Sequence, residues 1–288
     1  MRGNNILTIA DLGPDGIAEV LALAGQEDLG KPLAGKGVAL VFQKPSARTR
    51  NSTEMAVVQL GGHPIYIQKE EVGLGTRETA EDVARTLACY HEVICARVMD
   101  HNDLVKMTDA ISKPVVNLLS NKEHPLQALA DILTMKQLAG ELQGVKIAYV
   151  GDADNNVARS LAHACLAVGA ELTLCSPAQY RLSDTPDGVR QTDDPAEAVR
   201  GARFVYTDVW VSMGQDSETR ERMQALGPYQ VDEALMAKAD DAWFLHCLPA
   251  RRGEEVTHEV MESPKSAIWR QAENRMHAAR GALARVLL

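Results

Sequence analysis

An unbroken apolar run, Gly37 to Phe42 (GVALVF), gives way at once to a polar stretch rich in hydroxyls and arginines, Gln43 to Glu54 (QKPSARTRNSTE). Such a run reads as a buried parallel strand. Beyond it, Thr49 to Leu60 shows no strand-like alternation and stops at Gly61 and Gly62, which predicts a helix with a glycine stop. The unit is strand, loop, helix. Its oddity is charge: Arg48 and Arg50 fall in the first helical turn, where free N–H groups and the helix dipole already make a positive end. Two cations there are unfavourable unless an anion sits among them, and Ser46 and Thr49 interleave hydroxyl donors. A phosphate fits that description. The bland alternative is a serine N-cap followed by solvated arginines.

The same rhythm extends along the chain. Asp15 to Gly25 reads as an amphipathic helix, followed by the strand at Gly37 to Phe42, the helix to Leu60 and a strand at His63 to Gln68. A glycine-rich connection, Lys69 to Glu78, leads to a helix over Glu78 to Tyr90, a strand at Glu92 to Val98 and another at Lys113 to Asn117. After the helix Gln127 to Leu138, strands and helices alternate again from Val145 to Cys247, and Arg270 to Leu288 forms a last helix. The pattern predicts an α/β protein of two doubly wound parallel-sheet domains linked by helices. The boundaries expected are residues 1–134 and 135–269, with the 270–288 helix packing back on the first domain.

At 288 residues the chain can bury ample core. A formal net charge of −9 with 4% aromatic residues argues against a nucleic-acid surface, so any binding charge must be local. Five scattered cysteines without a CxxC pair indicate neither a disulfide framework nor a cysteine zinc site. The first residues lack a signal-peptide apolar core and no run approaches transmembrane length, so the expectation is a cytoplasmic protein with no membrane partner.

Ligands of parallel sheets bind at the carboxyl ends of strands. Read in order, those ends hold PSARTR, Arg97 in ICARV, HPLQ at His124 to Gln127, GDADNN at Gly151 to Asn156, DVWVSMG at Asp208 to Gly214, and HCLPARRG at His246 to Gly253. Arg97 lies in an otherwise apolar strand, and a buried arginine needs an anionic or strongly accepting partner. His124 with Pro125 reads either as a simple helix entry or, with Gln127 one turn on, as donors aimed at a ligand oxygen that gains charge. After Val150 the dinucleotide fingerprint lacks two glycines. Asn155 and Asn156 suit a neutral or zwitterionic ligand, or merely an N-cap. Cys247 beside His246 invites a nucleophile or a zinc reading, but adjacent strand residues face opposite ways. A polar wall of a substrate pocket, without metal, is the preferred reading of Cys247.

Together these strings resemble the aspartate/ornithine carbamoyltransferase family, and specifically its ornithine branch. The resemblance runs over essentially the whole chain: SARTR, QLGGHP, HPLQALAD, TDVWVSMG, HCLP and AENRMHA, in that order. It implies a carbamoyl-phosphate domain and a Rossmann-like amino-acid domain. Ser46, the backbone at Ala47, Arg48 and Thr49 would hold the phosphate, and Arg97, His124 and Gln127 would bind and polarise the carbamoyl group. Asn156, Asp208, Ser212 and Met213 would hold the amino-acid end of L-ornithine. Cys247, Leu248 and Arg275 would complete the site, with Arg97, His124, Cys247 and Arg275 as its catalytic group. The resemblance further implies a homotrimer or a multiple of trimers, no metal and no organic cofactor, and the making of citrulline in arginine biosynthesis.

Three departures stand out. The signature's usual threonine is Ala47. A glutamine that in many relatives reaches a neighbouring subunit is replaced by Gly73. The segment after Cys175 is shortened, as though a surface helix and strand were reduced to a loop. Rival readings are a carbamoyltransferase for another amine, a non-catalytic anion-binding relative, and a nicotinamide-dependent dehydrogenase. The last is disfavoured by the missing glycines, and the second by retention of Arg48, Arg97 and His124.

Overall fold

The computed structural model describes residues 5–211, 219–239 and 241–287. By contacts the chain divides into two compact units, Met1–Leu133 with Glu273–Leu288, and Thr134–Ala272.

In the first unit, α1 (Ile9–Ala24) starts earlier than the amphipathic pattern alone predicts. Thr8 Oγ1 accepts from the Asp11 N–H at 3.1 Å and Asp11 accepts from the Thr8 N–H at 2.9 Å, a capping box that begins the helix upstream of its kink at Gly13. Then follow β1 (Gly37–Phe42), α2 (Ala47–Gln59), β2 (His63–Gln68), α3 (Lys69–Val72), α4 (Ala80–Ala88), β3 (His91–Arg97), α5 (His101–Ala110), β4 (Val115–Leu119) and α6 (Pro125–Ala139), whose last residues, from Thr134, belong to the second unit. The four strands are parallel in the order β2-β1-β3-β4. From β1 the chain first steps outward to β2, then crosses back to β3 and β4. The carboxyl ends of β1 and β3 therefore flank the switch point where such sheets bind ligands.

Ala39, Val41, Ile94, Ala96 and Val115 of the sheet pack with Val83 and Ala84 of α4 and Leu104 and Met107 of α5. Helix α5 was not anticipated from the sequence. Only Leu104 and Met107 are buried in it, too sparse a stripe to register as periodicity, and its start depends on Asp100, whose carboxylate accepts from the Asn102 N–H at 3.0 Å. Gly73 ends α3 with φ 59°, and a Cβ there would come within 2.7 Å of the Arg77 Cβ. A side chain at this position would have to displace Arg77, whose guanidinium is folded back onto the Glu71 carbonyl.

The second unit holds β5 (Lys146–Val150), α7 (Asn156–Ala167), β6 (Glu171–Cys175), β7 (Arg190–Thr192), α8 (Pro195–Val199), β8 (Phe204–Thr207), α9 (Thr219–Leu226), α10 (Glu233–Met236), β9 (Trp243–His246) and α11 (His258–Met261). Its sheet is again all parallel, in the order β7-β6-β5-β8-β9, with the switch point between β5 and β8. Ala148, Val150, Val205 and Phe244 pack with Val199, Leu235, Val260 and Met261. The shortened segment after Cys175 keeps a strand after all: β7 pairs Arg190 with Thr173 and Thr192 with Cys175. Three residues are too few to show alternation.

The last helix, α12 (Ile268–Leu287), carries the chain from the second unit back into the first. Its Gly281 lies against α1, where a Cβ would come within 2.5 Å of the Val20 carbonyl oxygen. Arg280 donates to the Ala24 and Gln26 carbonyls at the end of α1 and to Gln59 of α2. Among the described residues no helix is long and apolar enough to cross a membrane.

Candidate active site

Ser46 closes the loop after β1 and caps α2, its Oγ accepting from the Thr49 N–H at 3.3 Å and donating to Thr49 Oγ1 at 3.2 Å. The cap reading was therefore correct for Ser46, and it leaves the anion reading intact. The first intrahelical bond is Arg50 N–H to the Ser46 carbonyl at 3.0 Å, so the N–H groups of Ala47 and Arg48 precede the ladder at the positive end of the helix. The two arginines part company here. Arg50 donates to Glu54 at 2.8 Å and covers the Tyr66 ring at 4.0 Å, so its charge is accounted for. Arg48 is exposed and makes no ion pair among the described residues.

Arg97 is the last residue of β3 and pairs in register with Phe42, the last of β1, which sets it beside the Ser46 loop. It is 7% exposed, and its Nε makes no hydrogen bond. No carboxylate faces it among the described residues. Burial, then Arg275 and Arg48, push its guanidinium down to about 10, well below the usual arginine range. Arg275 of α12 donates to Gln127 Oε1 and, at 3.2 Å, to Thr49 Oγ1. Gln127 is in turn oriented by its own donation to Asp131 at 2.7 Å. His124 precedes Pro125 at the start of α6, buried, with its proton opposed by burial first and then by Arg275 and Arg97. Ser46, Thr49, Arg97, His124, Gln127 and Arg275 are thus brought to one end of the first sheet, with Arg48 at its margin. Arg97, which no carboxylate faces among the described residues, stands with Arg275 and Arg48 next to a helix N-terminus, an arrangement that can hold a phosphate and polarise an adjoining carbonyl.

In the second unit Asn155, not Asn156, is the cap of α7: its Oδ1 accepts from the Val157 and Ala158 N–H groups, both at 2.9 Å. Its amide donates to the Tyr149 hydroxyl at 3.0 Å and the Asp152 carbonyl at 2.8 Å. Asn155 is fully committed to the fold. Across the switch point, Asp208 lies just past β8, 7% exposed, accepting from Cys247 Sγ at 3.0 Å and from the Val209 N–H at 2.8 Å. Burial raises its carboxyl above the usual 3.8, against the lowering influence of His246 and the Cys247 bond.

Ligand atoms of Asp208, His246 and Cys247 lie within 4.8 Å of one another, which reopens the metal question. The opposite-facing argument fails for Cys247 because β9 ends at His246 and the chain turns at Leu248 with φ 59°. The imidazole nevertheless has no lone pair to give. Its Nδ1 accepts from the Leu248 N–H at 2.8 Å, so Nε2 carries the proton, 3.0 Å from Glu255 Oε1. That carboxylate oxygen also accepts from the Arg251 N–H at 2.6 Å. His246 and Glu255 together pin both ends of the turn that presents Cys247 and Leu248. A cation with amine donors suits Asp208 and Cys247 better than a metal. Ser212 and Met213 lie outside the described residues.

Residues 4–137 match the family model described as aspartate/ornithine carbamoyltransferase, carbamoyl-P binding domain, and residues 143–286 match its Asp/Orn binding domain. The chain belongs to the aspartate/ornithine carbamoyltransferase family. Among its carbamoyltransferase relatives, the ornithine carbamoyltransferase of Hyperthermus butylicus is 45% identical over 308 residues, covering 100% of this chain and 98% of that protein. That of Bacillus subtilis is 41% identical over 303 residues, covering 100% and 95%. The crystal structure of ornithine carbamoyltransferase from Thermus thermophilus superposes with a TM-score of 0.92 at 39% identity, covering 99% of each chain. The Pyrococcus furiosus enzyme does so at 0.91 and 40%, covering 98% of this chain and 96% of that one.

Sequence reasoning missed the supporting groups of this carbamoyltransferase. Asp131 was within reach, since it follows Gln127 by one helical turn in QALAD. Glu255 and Arg222 were not, because no spacing rule links them to His246 or Asp152. The lowered His124 value carries a testable consequence. The unfolded chain takes up the imidazole proton near 6.5, where the folded chain resists it, so His124 leaves stability untouched above that pH and opposes folding increasingly below it. His124→Asn is expected to flatten the fall in melting temperature between about pH 7 and pH 5. The lowered His91, His101 and His277 are common to both proteins and cancel in the comparison. An unchanged acid slope would exclude His124 as its source.

Proposed function

We infer that this chain is an enzyme that transfers the carbamoyl group of carbamoyl phosphate to the δ-amine of L-ornithine, giving L-citrulline and phosphate. The observation that carries this reading is the buried Arg97 at the switch point of the first sheet, flanked by Arg275 and Arg48 and faced by no carboxylate among the described residues. The deprotonated δ-amine attacks the carbamoyl carbon, forming the C–N bond; the C–O bond to phosphate breaks, and the departing phosphate ends with the proton that the amine gives up. No covalent enzyme intermediate, metal or organic cofactor is needed. Ser46, the Ala47 N–H, Arg48 and Thr49 hold the phosphate, whose charge rises as it leaves. Arg97, His124, Gln127 and Arg275 donate to the carbamoyl oxygen and the leaving group. Neutral His124 can only donate through a ring N–H, which suits an oxygen gaining charge.

Asn156, Asp208, Ser212, Met213, Cys247 and Leu248 hold the amino acid. Asp208 is the group that favours free ornithine over an acylated ornithine or a diamine, because a buried carboxylate suits an α-ammonium. Residues 1–134 form the carbamoyl-phosphate domain, helped by the 270–288 helix, and residues 135–269 the ornithine domain. The protein works as a homotrimer or a multiple of trimers in the cytoplasm, in arginine biosynthesis. An assay of ureido product from carbamoyl phosphate with ornithine, N-acetylornithine, putrescine and aspartate tests the assignment. Product with ornithine alone is expected, and turnover of another amine in its place would overturn the substrate.

A further inference from the structure

We infer that Arg222 is a positioning residue for the amino-acid site, acting through its buried ion pair with Asp152. The inference rests on the reading of Asp208 and Asn156 as ornithine contacts. Arg222 lies on α9, and Asp152 lies in the loop after β5. Arg222 Nη1 stands 2.7 Å from Asp152 Oδ2 and donates to the Trp210 carbonyl at 3.3 Å, with its guanidinium over the Tyr180 ring at 4.7 Å. One guanidinium therefore ties the loop after β5 to the loop after β8. The first leads into Asn156 at the start of α7; the second holds Trp210 shortly after Asp208.

Both ends are braced. Asp152 Oδ1 accepts from the Asp154 N–H at 3.0 Å, and the Asp152 carbonyl accepts from the Asn155 amide at 2.8 Å, the same amide whose oxygen caps α7. A shift at Arg222 would move Trp210 and the entry to α7 together, changing the separation of Asp208 and Asn156. Stability is a poor reason to keep such a pair. The side chains of Arg222 and Asp152 are 7% and 1% exposed, and well-packed apolar replacements of buried ion pairs are often neutral or stabilising. Burial pushes Asp152 up to about 6 even beside Arg222, in keeping with a pair held for geometry.

The test is steady-state kinetics and thermal melting of Arg222→Met, Arg222→Lys, Asp152→Asn and the double variant Arg222→Met/Asp152→Asn, with Asp208→Asn as reference. Arg222→Met should raise KM for ornithine at least about tenfold, since displacing binding groups by about 1 Å is felt on that scale. Carbamoyl-phosphate affinity without ornithine should stay unchanged, Arg222→Lys should recover part of the loss, and the double variant should be no worse than its worse parent. If Arg222→Met does not fold, Arg222→Lys and Asp152→Asn carry the test through the same rise in KM. A lowered melting temperature with ornithine KM unmoved in all of them would overturn the positioning role. Should Asp208→Asn itself leave ornithine binding intact, the reading of the amino-acid site fails; should it alone weaken ornithine, only the role of Arg222 fails.

Discussion

Arg97→Met is expected to stabilise the ligand-free protein while weakening carbamoyl phosphate by about 2–5 kcal/mol, the range for truncating one partner of a buried charged pair. The two effects have one cause. Arg97 is buried beside Arg275 and Arg48, and its guanidinium is held down at about 10, well below the usual arginine range. A group whose folded value is lowered disfavours the fold in its charged form, so at neutral pH Arg97 costs stability on the order of 3 kcal/mol. Methionine keeps much of the apolar stem and drops the charge. Calorimetric titration with carbamoyl phosphate and thermal melting of the same variant read the two signs. Lower stability with unchanged affinity would mean that Arg97 is a structural residue and would remove the phosphate reading of the first unit.

Asp208→Asn should weaken ornithine by about 1.5–3 kcal/mol, the range for hydrogen bonds to charged groups, and leave carbamoyl-phosphate affinity unchanged. The substitution keeps the shape and removes the charge. Asp208 accepts from the Cys247 thiol and the Val209 N–H, two neutral donors, and its carboxyl is raised by burial. On the proposed reading its cation is the α-ammonium of the substrate, so the ligand-free variant should melt no lower than its parent. If instead Asp208 serves only the turn at Val209, melting falls and ornithine affinity survives. That outcome would reopen the identity of the accepting amine.

The elements that place these groups were legible in the sequence wherever a local rule governs them. Apolar runs ending in polar loops marked the strands, and the carboxyl end of each strand is where the candidate residues stand. The departures at the edges have local causes too: α5 buries only Leu104 and Met107, β7 has three residues, and the start of α1 depends on the reciprocal bonds of Thr8 and Asp11. None of these carries enough periodicity to be seen without its surroundings.

What the residue types determined by themselves was charge and chemistry: two sets of polar groups at strand ends, one cationic and one carrying Asp208 with Cys247. The division of labour inside each set was decided only in three dimensions. Arg48 and Arg50 are equivalent in the sequence, yet Glu54 and Tyr66 neutralise Arg50 and leave Arg48 unpaired among the described residues. Asn155 and Asn156 are equivalent as well, until the first is consumed by the α7 cap. Glu255 and Arg222 show no link to a site until the turn after His246 and the crossing of α9 bring them to His246 and Asp152. Periodicity reports short-range backbone preference, whereas the partner of a buried charge is chosen by whichever chain segment burial brings beside it.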